Sequence, residues 1–268
     1  QNCKNPVVDI TNYLMLEQGQ PLHAFDADLL DNIVGRKVIQ NDFGIRNGKS
    51  GEIFVALDKK EYKLNEKIKV ITCDNYPIAI AGIIGGKNSS VSAKTTRIWL
   101  EAAVFSPTSI RNSSREIGLR TESSSRYEKG ISPNMTIPVS MRASKLITQE
   151  LGGNIKSTHV NNEYNKVSMS VNLRIEKINS VLGKLTCKNN TLVDRISNKE
   201  HYINKEVIEL LLTKLGCQLT TNKTGWNVQI PPYRSSDLTR EIDLIEEIAR
   251  LVGYDNFDTN MPNPIEPG

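Results

Sequence analysis

A polar, asparagine-rich segment at residues 154–170 interrupts the apolar patterning of the chain and divides it into two halves. Short apolar runs precede the segment, and longer runs with helical spacing follow it; the segment itself is compatible with a linker or a strand. A length of 268 residues suffices for one large or two ordinary domains. We predict two, at residues 1–165 and 166–260, with a linker or tail at 261–268. Because the chain begins with Gln1 rather than methionine, we expect it to be a piece of a longer polypeptide.

The composition is that of a soluble globular protein, with 38% hydrophobic and 24% charged residues. No apolar run reaches the roughly 18 residues that cross a bilayer, and no charged-then-apolar leader opens the chain. We therefore expect a cytoplasmic protein with no membrane partner. A net charge of +4 is too small to indicate nucleic-acid binding by itself. The motifs GxGxxG, GxxxxGKS/T and GxSxG are absent, so nucleotide binding and serine-hydrolase chemistry have no support in the sequence.

The cysteines lie far apart and form no CxxC pair, which favours reduced thiols packed as small apolar groups. They are Cys3, Cys73, Cys187 and Cys217. A His-rich zinc site is disfavoured because the only histidines are His23, His159 and His201.

β-Branched and apolar runs predict short strands in the first half. The predicted strands are residues 68–72, 78–84 and 98–102. Residues 58–60 predict a hairpin turn, a helix is predicted from Ser106 to its stop at Gly118, and another over 138–151. Strands and helices alternate too irregularly for a doubly wound fold. We predict an α+β domain with a mixed or antiparallel sheet and flanking helices.

The second half has a different pattern, which predicts helix, helix, hairpin, helix. The predicted helices are residues 174–182, 205–215 and 237–252, and the predicted hairpin strands are residues 218–220 and 226–230. This order is typical of a small winged-helix-like α/β module.

Three stretches of the first half carry more polar detail than packing requires. Residues 9–26 contain His23 beside a proline-leucine pair, residues 79–86 place small side chains at a strand end, and residues 100–103 place Glu101 at the end of an apolar strand. Each has a plain structural alternative: a hydrogen-bonded histidine, a tight turn in a core strand, and a carboxylate turned to solvent. Spacing by itself leaves these alternatives open.

Together these stretches form a longer pattern. VVDxTNYxMLExGQPLHAFD, AGIxGG, LEAAxF and IRxxxRxxGLRTExSxRYExG follow one another within residues 6–153. In this order they resemble the editing domain of the bacterial-type phenylalanyl-tRNA synthetase beta chain. The second half, with LGC, PPYRSSD and DLIEEIARLVGYD, resembles the small domain that follows in the same chain.

The resemblance implies a hydrolytic proofreading site. A hydrophobic pocket that selects phenylalanine cannot strongly reject tyrosine, which only adds a hydroxyl. A second site must therefore capture that hydroxyl and hydrolyse the tyrosyl ester of the tRNA 3′ adenosine. By the resemblance, Glu101 accepts a hydrogen bond from the tyrosine phenol, whereas phenylalanine would leave the carboxylate unpaired.

The resemblance also implies the other site residues. His23 joins Glu101 as a catalytic residue near the scissile ester, and the substrate-binding residues are Thr11, Asn12, Pro21, Ala81, Gly82, Ala103, Thr121 and Ser123. The family usually has alanine where this chain has Ser123, and the basic residue expected before VVD is not evident. No nucleophilic triad accompanies His23, so we expect attack by a positioned water, assisted by ribose hydroxyls, with His23 orienting groups. A general-base role for His23 stays open.

Four carboxylates of the last predicted helix and its approach form a second constellation. Asp243, Glu246 and Glu247 share one helix face, and Asp237 precedes them. On spacing, a solvated acidic face is the plain alternative to a magnesium site. The resemblance implies Mg2+ here, close to the contact with the alpha chain.

For the whole enzyme, the resemblance implies a class II ligase. Its partners would be the alpha subunit, in an α2β2 heterotetramer, and the 3′ end of tRNA(Phe); ATP would be used only outside this piece. Two alternatives of other classes stay open. One is a non-catalytic module that docks tRNA or assembles subunits. The other is nucleic-acid binding by the winged-helix-like half, against which the weak overall charge argues.

Overall fold

A computed structural model of the chain describes residues 5–161, 169–186 and 196–258. The chain divides into two compact units, Gln1–Asn165 and Lys166–Gly268. The predicted tail at 261–268 lies outside the described residues, as do Cys3 and Cys187. Cys73 and Cys217 are buried free thiols, as the spacing of the cysteines predicts.

The first unit mixes helices with short strands. Its helices are α1 (Pro6–Gln18), α2 (Ala27–Val34), α3 (Pro107–Ile117), α4 (Glu122–Tyr127) and α5 (Pro133–Leu151). Its strands are β1 (Leu22–Asp26), β2 (Phe43–Asn47), β3 (Ile53–Val55), β4 (Glu61–Lys63), β5 (Lys69–Cys73), β6 (Tyr76–Ile80), β7 (Ile84–Gly85) and β8 (Ile98–Ala102).

These strands form three sheets. One has four strands in the order β2-β5-β6-β7, and the pairs β1-β8 and β3-β4 form the other two. Every pairing between them is antiparallel, so the predicted α+β class with an antiparallel sheet is confirmed. The main core of the unit is built on β5 and β6, whose side chains at Val70, Ile78 and Ile80 are fully buried.

Helix α1 is absent from the sequence-based prediction. Its first turns are rich in β-branched residues, which have low helix propensity. Local capping nevertheless defines it: the Asn5 side chain accepts a hydrogen bond from the Val7 amide, Pro6 takes the first position, and Gly19 ends the helix with a φ of +73°. The polar residues of this stretch therefore lie on a helix.

Two predicted boundaries in the first unit are wrong. Helix α5 begins at Pro133, and Pro138, predicted to open it, lies in its second turn, where it removes one backbone donor. The predicted strand 78–84 is interrupted at Gly82, whose φ of +66° makes a turn between β6 and β7.

The second unit places helices beside a three-stranded antiparallel sheet in the order β10-β11-β9. Its elements are β9 (Ser170–Arg174), α6 (Ile175–Leu182), α7 (Lys205–Lys214), β10 (Gln218–Thr221), β11 (Gly225–Gln229) and α8 (Glu241–Val252). Trp226 is 1% exposed at the centre of its core. Helix α8 begins later than the predicted residue 237, because the Asp243 carboxylate accepts from the backbone amide of Arg240 and caps the helix there.

Candidate active site

The first unit contains a cavity of about 520 Å³, a volume typical of small-ligand sites. Its walls come from α1, β1, β8, the turn between β6 and β7, residues 90–93 and the start of α4. Eight of the predicted site residues line it: Thr11, Asn12, Pro21, His23, Gly82, Glu101, Thr121 and Ser123. The fold thus gathers segments that are far apart in the sequence around one space.

His23 and Glu101 lie directly opposite each other on the paired strands β1 and β8. Residues opposite each other in an antiparallel pair project from the same face of the sheet. Both side chains line the cavity. The strand register therefore brings together the two residues that the motifs predict to be catalytic.

Glu101 is a partly buried carboxyl group facing the cavity. Desolvation raises its pKa to about 7, and no residue described in the structure donates a hydrogen bond to it or forms an ion pair with it. At neutral pH the ionised and protonated forms therefore coexist. A carboxylate in this state gains more from a donor on a ligand than one already satisfied by the protein.

The His23 ring is held by packing more than by hydrogen bonds. Its Nε2 is the one buried side-chain nitrogen or oxygen atom in the described residues that has no hydrogen-bond partner. Phe25 packs edge-on against the imidazole, with ring centroids 4.5 Å apart. Burial lowers the pKa of His23 to about 4, so the ring is neutral at pH 7. An unpaired buried polar atom destabilises the fold by about 1–3 kcal/mol.

Gly85 leaves the space that the His23 ring fills. A Cβ built on Gly85 would lie 2.5 Å from Cε1 and 2.6 Å from Nε2 of His23. A side chain at position 85 would therefore displace the imidazole or the strand. The sequence suggests that the small residues of this stretch let a ligand come close to the backbone. At Gly85, the group that lies close to the backbone is the His23 ring.

The start of α4 forms another wall. Thr121 caps this helix by accepting from the Ser124 amide, and its hydroxyl donates to the Ile83 carbonyl at 2.8 Å. This bond ties α4 to the turn that carries Gly82. Ser123, the departure from the family pattern, is partly buried and lines the same wall.

Helix α1 contributes two polar residues, Thr11 and Asn12, to the lining of the cavity. Thr11 is 6% exposed, and its hydroxyl donates to the Val8 carbonyl in its own helix at 2.8 Å. Asn12 is partly buried beside it. The Thr11 hydroxyl is therefore already engaged, and Asn12 is the more available of the two.

Two predicted residues do not line the cavity. Ala81 is fully buried in the core behind it. Ala103 contributes its backbone carbonyl, which accepts from the Gln20 amide at 3.0 Å and from the Tyr127 hydroxyl at 3.1 Å. Tyr127 lines the cavity and was missed, although the RYE of the last motif placed it within the matched pattern.

In the second unit, Arg234 occupies the predicted carboxylate cluster. Its guanidinium lies 2.7 Å from Asp237 and 3.0 Å from Glu247. Arg250 pairs with Glu247 from the other side at 2.5 Å. Hydrogen bonds from these arginines, Arg250 foremost, hold the pKa of Glu247 below its usual value.

The other two carboxylates do not complete a metal site. Asp243 pairs with Arg240 at 2.8 Å, and this hydrogen bond lowers the pKa of Asp243 to about 2. Glu246 is exposed on α8. Within residues 5–161, 169–186 and 196–258, no group of three or more His, Cys, Asp or Glu side chains is placed to hold a metal ion. Among the described residues the predicted ligands therefore form no cluster suited to a metal ion, and arginines pair with three of them.

In the described part of the chain, none of the helices has both the length and the apolar character needed to span a bilayer.

Comparison with known families defines the class of this fold and site. The B3/4 domain family matches residues 1–152, and the tRNA synthetase B5 domain family matches residues 171–254. The chain belongs to the B3/4 domain family.

Two similar proteins are subunits of one enzyme. The chain is 75% identical to the phenylalanine–tRNA ligase beta subunit of Prochlorococcus marinus strain NATL2A over 268 residues, which is 100% of this chain and 32% of that protein. It is 51% identical to the same subunit of Prochlorococcus marinus strain SARG over 279 aligned residues, which is 100% of this chain and 33% of that protein. The chain thus spans about a third of the length of these relatives, and the resemblance to phenylalanyl-tRNA synthetase beta chains is confirmed.

A solved structure is also similar at a low level. It is the crystal structure of an N-terminal fragment of the phenylalanyl-tRNA synthetase beta subunit from Pyrococcus horikoshii, with a TM-score of 0.41, 14% identity, and coverage of 93% of this chain and 65% of that chain.

Proposed function

We propose that the cavity of the first unit hydrolyses tyrosyl-tRNA(Phe), the ester that a phenylalanine-selecting ligase forms in error. The observation that carries this proposal is Glu101, a desolvated carboxyl group that faces the cavity opposite His23 and has no hydrogen-bond donor among the residues that the structure describes. A tyrosine phenol can donate a hydrogen bond to the carboxylate, and a phenylalanine ring would bury it unpaired. The site therefore selects by hydrogen bonding and needs no difference in ligand size.

The hydrolysis uses a water molecule that the site positions. Water attacks the ester carbonyl, the bond between the carbonyl carbon and the ribose oxygen breaks, and the ribose oxygen takes up a proton. His23, neutral because burial lowers its pKa to about 4, is a weak base, so it orients the water or the ester through a hydrogen bond. A neighbouring ribose hydroxyl assists the proton transfer.

The other lining residues bind the substrate and form the walls of the cavity. Asn12 and Ser123 supply polar contacts, and Pro21 and Gly82 form the apolar wall. The hydroxyls of Thr11 and Thr121 already bond to backbone carbonyls, so these residues hold the lining in place. Ala81 and Ala103 act through the backbone behind the lining.

At the level of the whole protein, we propose that the chain serves as part of the beta subunit of a cytoplasmic phenylalanine–tRNA ligase. Its partners are the alpha subunit, in an α2β2 assembly, and tRNA(Phe), and ATP is used by the whole enzyme. Residues 1–165 form the editing domain and residues 166–260 a small accessory domain. The arginine-paired carboxylates do not fit a magnesium ion held by this chain by itself, so Mg2+ has no step in the proposed hydrolysis.

A deacylation assay tests the proposal. The 268-residue chain is incubated with preformed tyrosyl-tRNA(Phe) or phenylalanyl-tRNA(Phe), and ester loss is followed. We expect faster loss of the tyrosyl ester, a kcat/KM about 10- to 100-fold lower in Glu101→Ala, and no change in the control Glu66→Ala, which is exposed in the same unit. Spontaneous rates for both esters would reject the proposal in favour of a non-catalytic module.

The pH dependence of selectivity adds a second prediction. Only the ionised form of Glu101 makes a charge-assisted bond with the phenol, and this form increases as pH rises through about 7. The ratio of kcat/KM for the tyrosyl ester to that for the phenylalanyl ester should rise about tenfold between roughly pH 6 and 8. In Glu101→Gln the ratio should be independent of pH; a wild-type ratio that stays flat would contradict the role of Glu101.

A further inference from the structure

A buried glutamine joins the two strands that carry the site. Gln20, which is 1% exposed, donates from Nε2 to the carbonyl oxygens of Pro21 at 3.1 Å and Ala103 at 3.0 Å. Its Oε1 accepts from the Thr136 hydroxyl at 3.3 Å. One side chain thus connects the start of β1, the end of β8 and helix α5 in the protein interior.

Tyr127, at the end of α4, bonds to the same two carbonyls. It is 3% exposed, its hydroxyl donates to the Ala103 carbonyl at 3.1 Å, and the Pro21 carbonyl lies at 3.4 Å. Its ring packs against Phe105, with centroids 4.9 Å apart. Two buried side chains therefore converge on two backbone oxygens.

These oxygens lie directly beyond the paired part of β1 and β8. The last pair is Leu22 with Ala102, and the next pair inward is His23 with Glu101. Among the described residues the sheet has these two strands, helices α1 and α5 pack against it, and its regular ladder ends at Leu22–Ala102. The bonds at its end therefore set the strand spacing at the point where the two site side chains project.

Tyr127 is also a neighbour of Glu101. Burial and, second to it, the charge of Glu101 raise the pKa of the Tyr127 hydroxyl, so the hydroxyl is protonated at neutral pH. Its one proton goes to the backbone carbonyls. The Tyr127 phenol therefore bonds to the backbone and not to the carboxylate, which leaves Glu101 open to a phenol of the substrate.

We propose that Gln20 and Tyr127 are positioning residues. Their hydrogen bonds to the Pro21 and Ala103 carbonyls, which we call the clamp, hold the Glu101 carboxylate where it can accept a hydrogen bond from the substrate. This inference rests on the proposed tyrosyl-ester hydrolysis and deepens it. Gln20 does not line the cavity, so its effect on catalysis must pass through the strands.

Kinetics of Gln20→Met and Tyr127→Phe test the clamp. Both substitutions remove donors and keep most of the side-chain volume; Gln18→Met, on the exposed part of α1, is the matched control. We expect kcat/KM for tyrosyl-tRNA(Phe) to fall about tenfold in Gln20→Met and about threefold in Tyr127→Phe, with a smaller change for the phenylalanyl ester. In a Glu101→Ala background both effects should shrink below about twofold, because the residues act through that carboxylate. Equal losses for both esters, or effects that add to Glu101→Ala, would overturn the proposal.

A carbon-13 NMR titration measures the pKa of the Glu101 carboxyl group and does not depend on hydrolytic activity. Loosened strands admit water, so we expect a lower pKa of Glu101 in Gln20→Met than in the wild-type chain, and the Gln18→Met control should match the wild type. If Gln20→Met does not fold, Tyr127→Phe is used in its place. An unchanged pKa would refute the clamp. If the wild-type chain hydrolyses neither ester, the proposed function fails, and this titration still decides whether the clamp positions Glu101.

Discussion

At the scale of single residues, the ionised form of Glu101 destabilises the fold and provides the proposed selectivity for tyrosine. Desolvation raises its pKa from 4.5 to about 7, which corresponds to about 3 kcal/mol of free energy of unfolding. The pKa of Glu101 is higher in the folded than in the unfolded chain, so the fold is more stable when this group is protonated. This stability is fully present below pH 4.5 and is lost as pH rises through about 7. At neutral pH the site therefore holds a carboxylate that the fold disfavours and a hydrogen-bond donor on a ligand stabilises.

Glu101→Gln should stabilise the first unit at high pH. The amide does not titrate, so the variant should exceed the wild type by up to about 3 kcal/mol at pH 8, and the gain should vanish below about pH 4.5. Protection of β5 and β6 amides from hydrogen exchange measures this in the first unit by itself, with Glu66→Gln as the exposed control. A gain that is equal at both pH values would show that Glu101 is not desolvated.

Gly85→Ala should disable the site without touching a polar group. The new Cβ would lie 2.5 Å from the His23 ring, so the imidazole must move, and we expect kcat/KM to fall about tenfold or more. Gly44→Ala is the control, since its Cβ would come no closer than 3.3 Å to a side-chain oxygen. Wild-type kinetics in Gly85→Ala would mean that the position of the His23 ring is unimportant.

At the scale of elements, local signals determined what could be predicted. Helix α3 follows the prediction because Ser106, Pro107 and Gly118 cap, start and end it within one short segment. Helix α1 has comparable caps, but its β-branched first turns hid the helical pattern. Helix α8 starts later than predicted because a side-chain cap, rather than the apolar spacing, sets its first residue.

The arginines beside α8 should stabilise the second unit in place of a metal ion. Arg234→Met leaves Asp237 and Glu247 without their shared partner, and we expect the free energy of unfolding of this unit to drop by about 1–3 kcal/mol. Hydrogen exchange of β11 and α8 amides measures the loss, with Lys223→Met as the exposed control. Added Mg2+ should leave the wild-type protection unchanged. A clear increase with Mg2+ would contradict the arginine-paired arrangement.

At the scale of the whole molecule, the sequence indicated which residues could form the candidate site but not how they are arranged. The motifs indicated His23 and Glu101, while their position opposite each other follows from the β1–β8 register, which only the fold defines. Gln20 lay inside a matched motif with no signal of its role, because a buried hydrogen-bond network depends on residues distant in the chain. The carboxylates near α8 show the converse. Helical spacing placed them together, but Arg240 and Arg250 at i, i+3 spacing, and Arg234 from outside the helix, pair with them.

The most direct measurement is a crystal structure of this chain with 3′-(L-tyrosyl)amino-3′-deoxyadenosine, an amide that cannot be cleaved as the ester is. We predict that the phenol oxygen of this compound lies about 2.5–2.7 Å from a Glu101 carboxylate oxygen, the distance of a charge-assisted bond. A phenol oxygen in the same cavity but beyond about 3.5 Å from Glu101, or bonded elsewhere, would contradict selection of the substrate by this carboxylate.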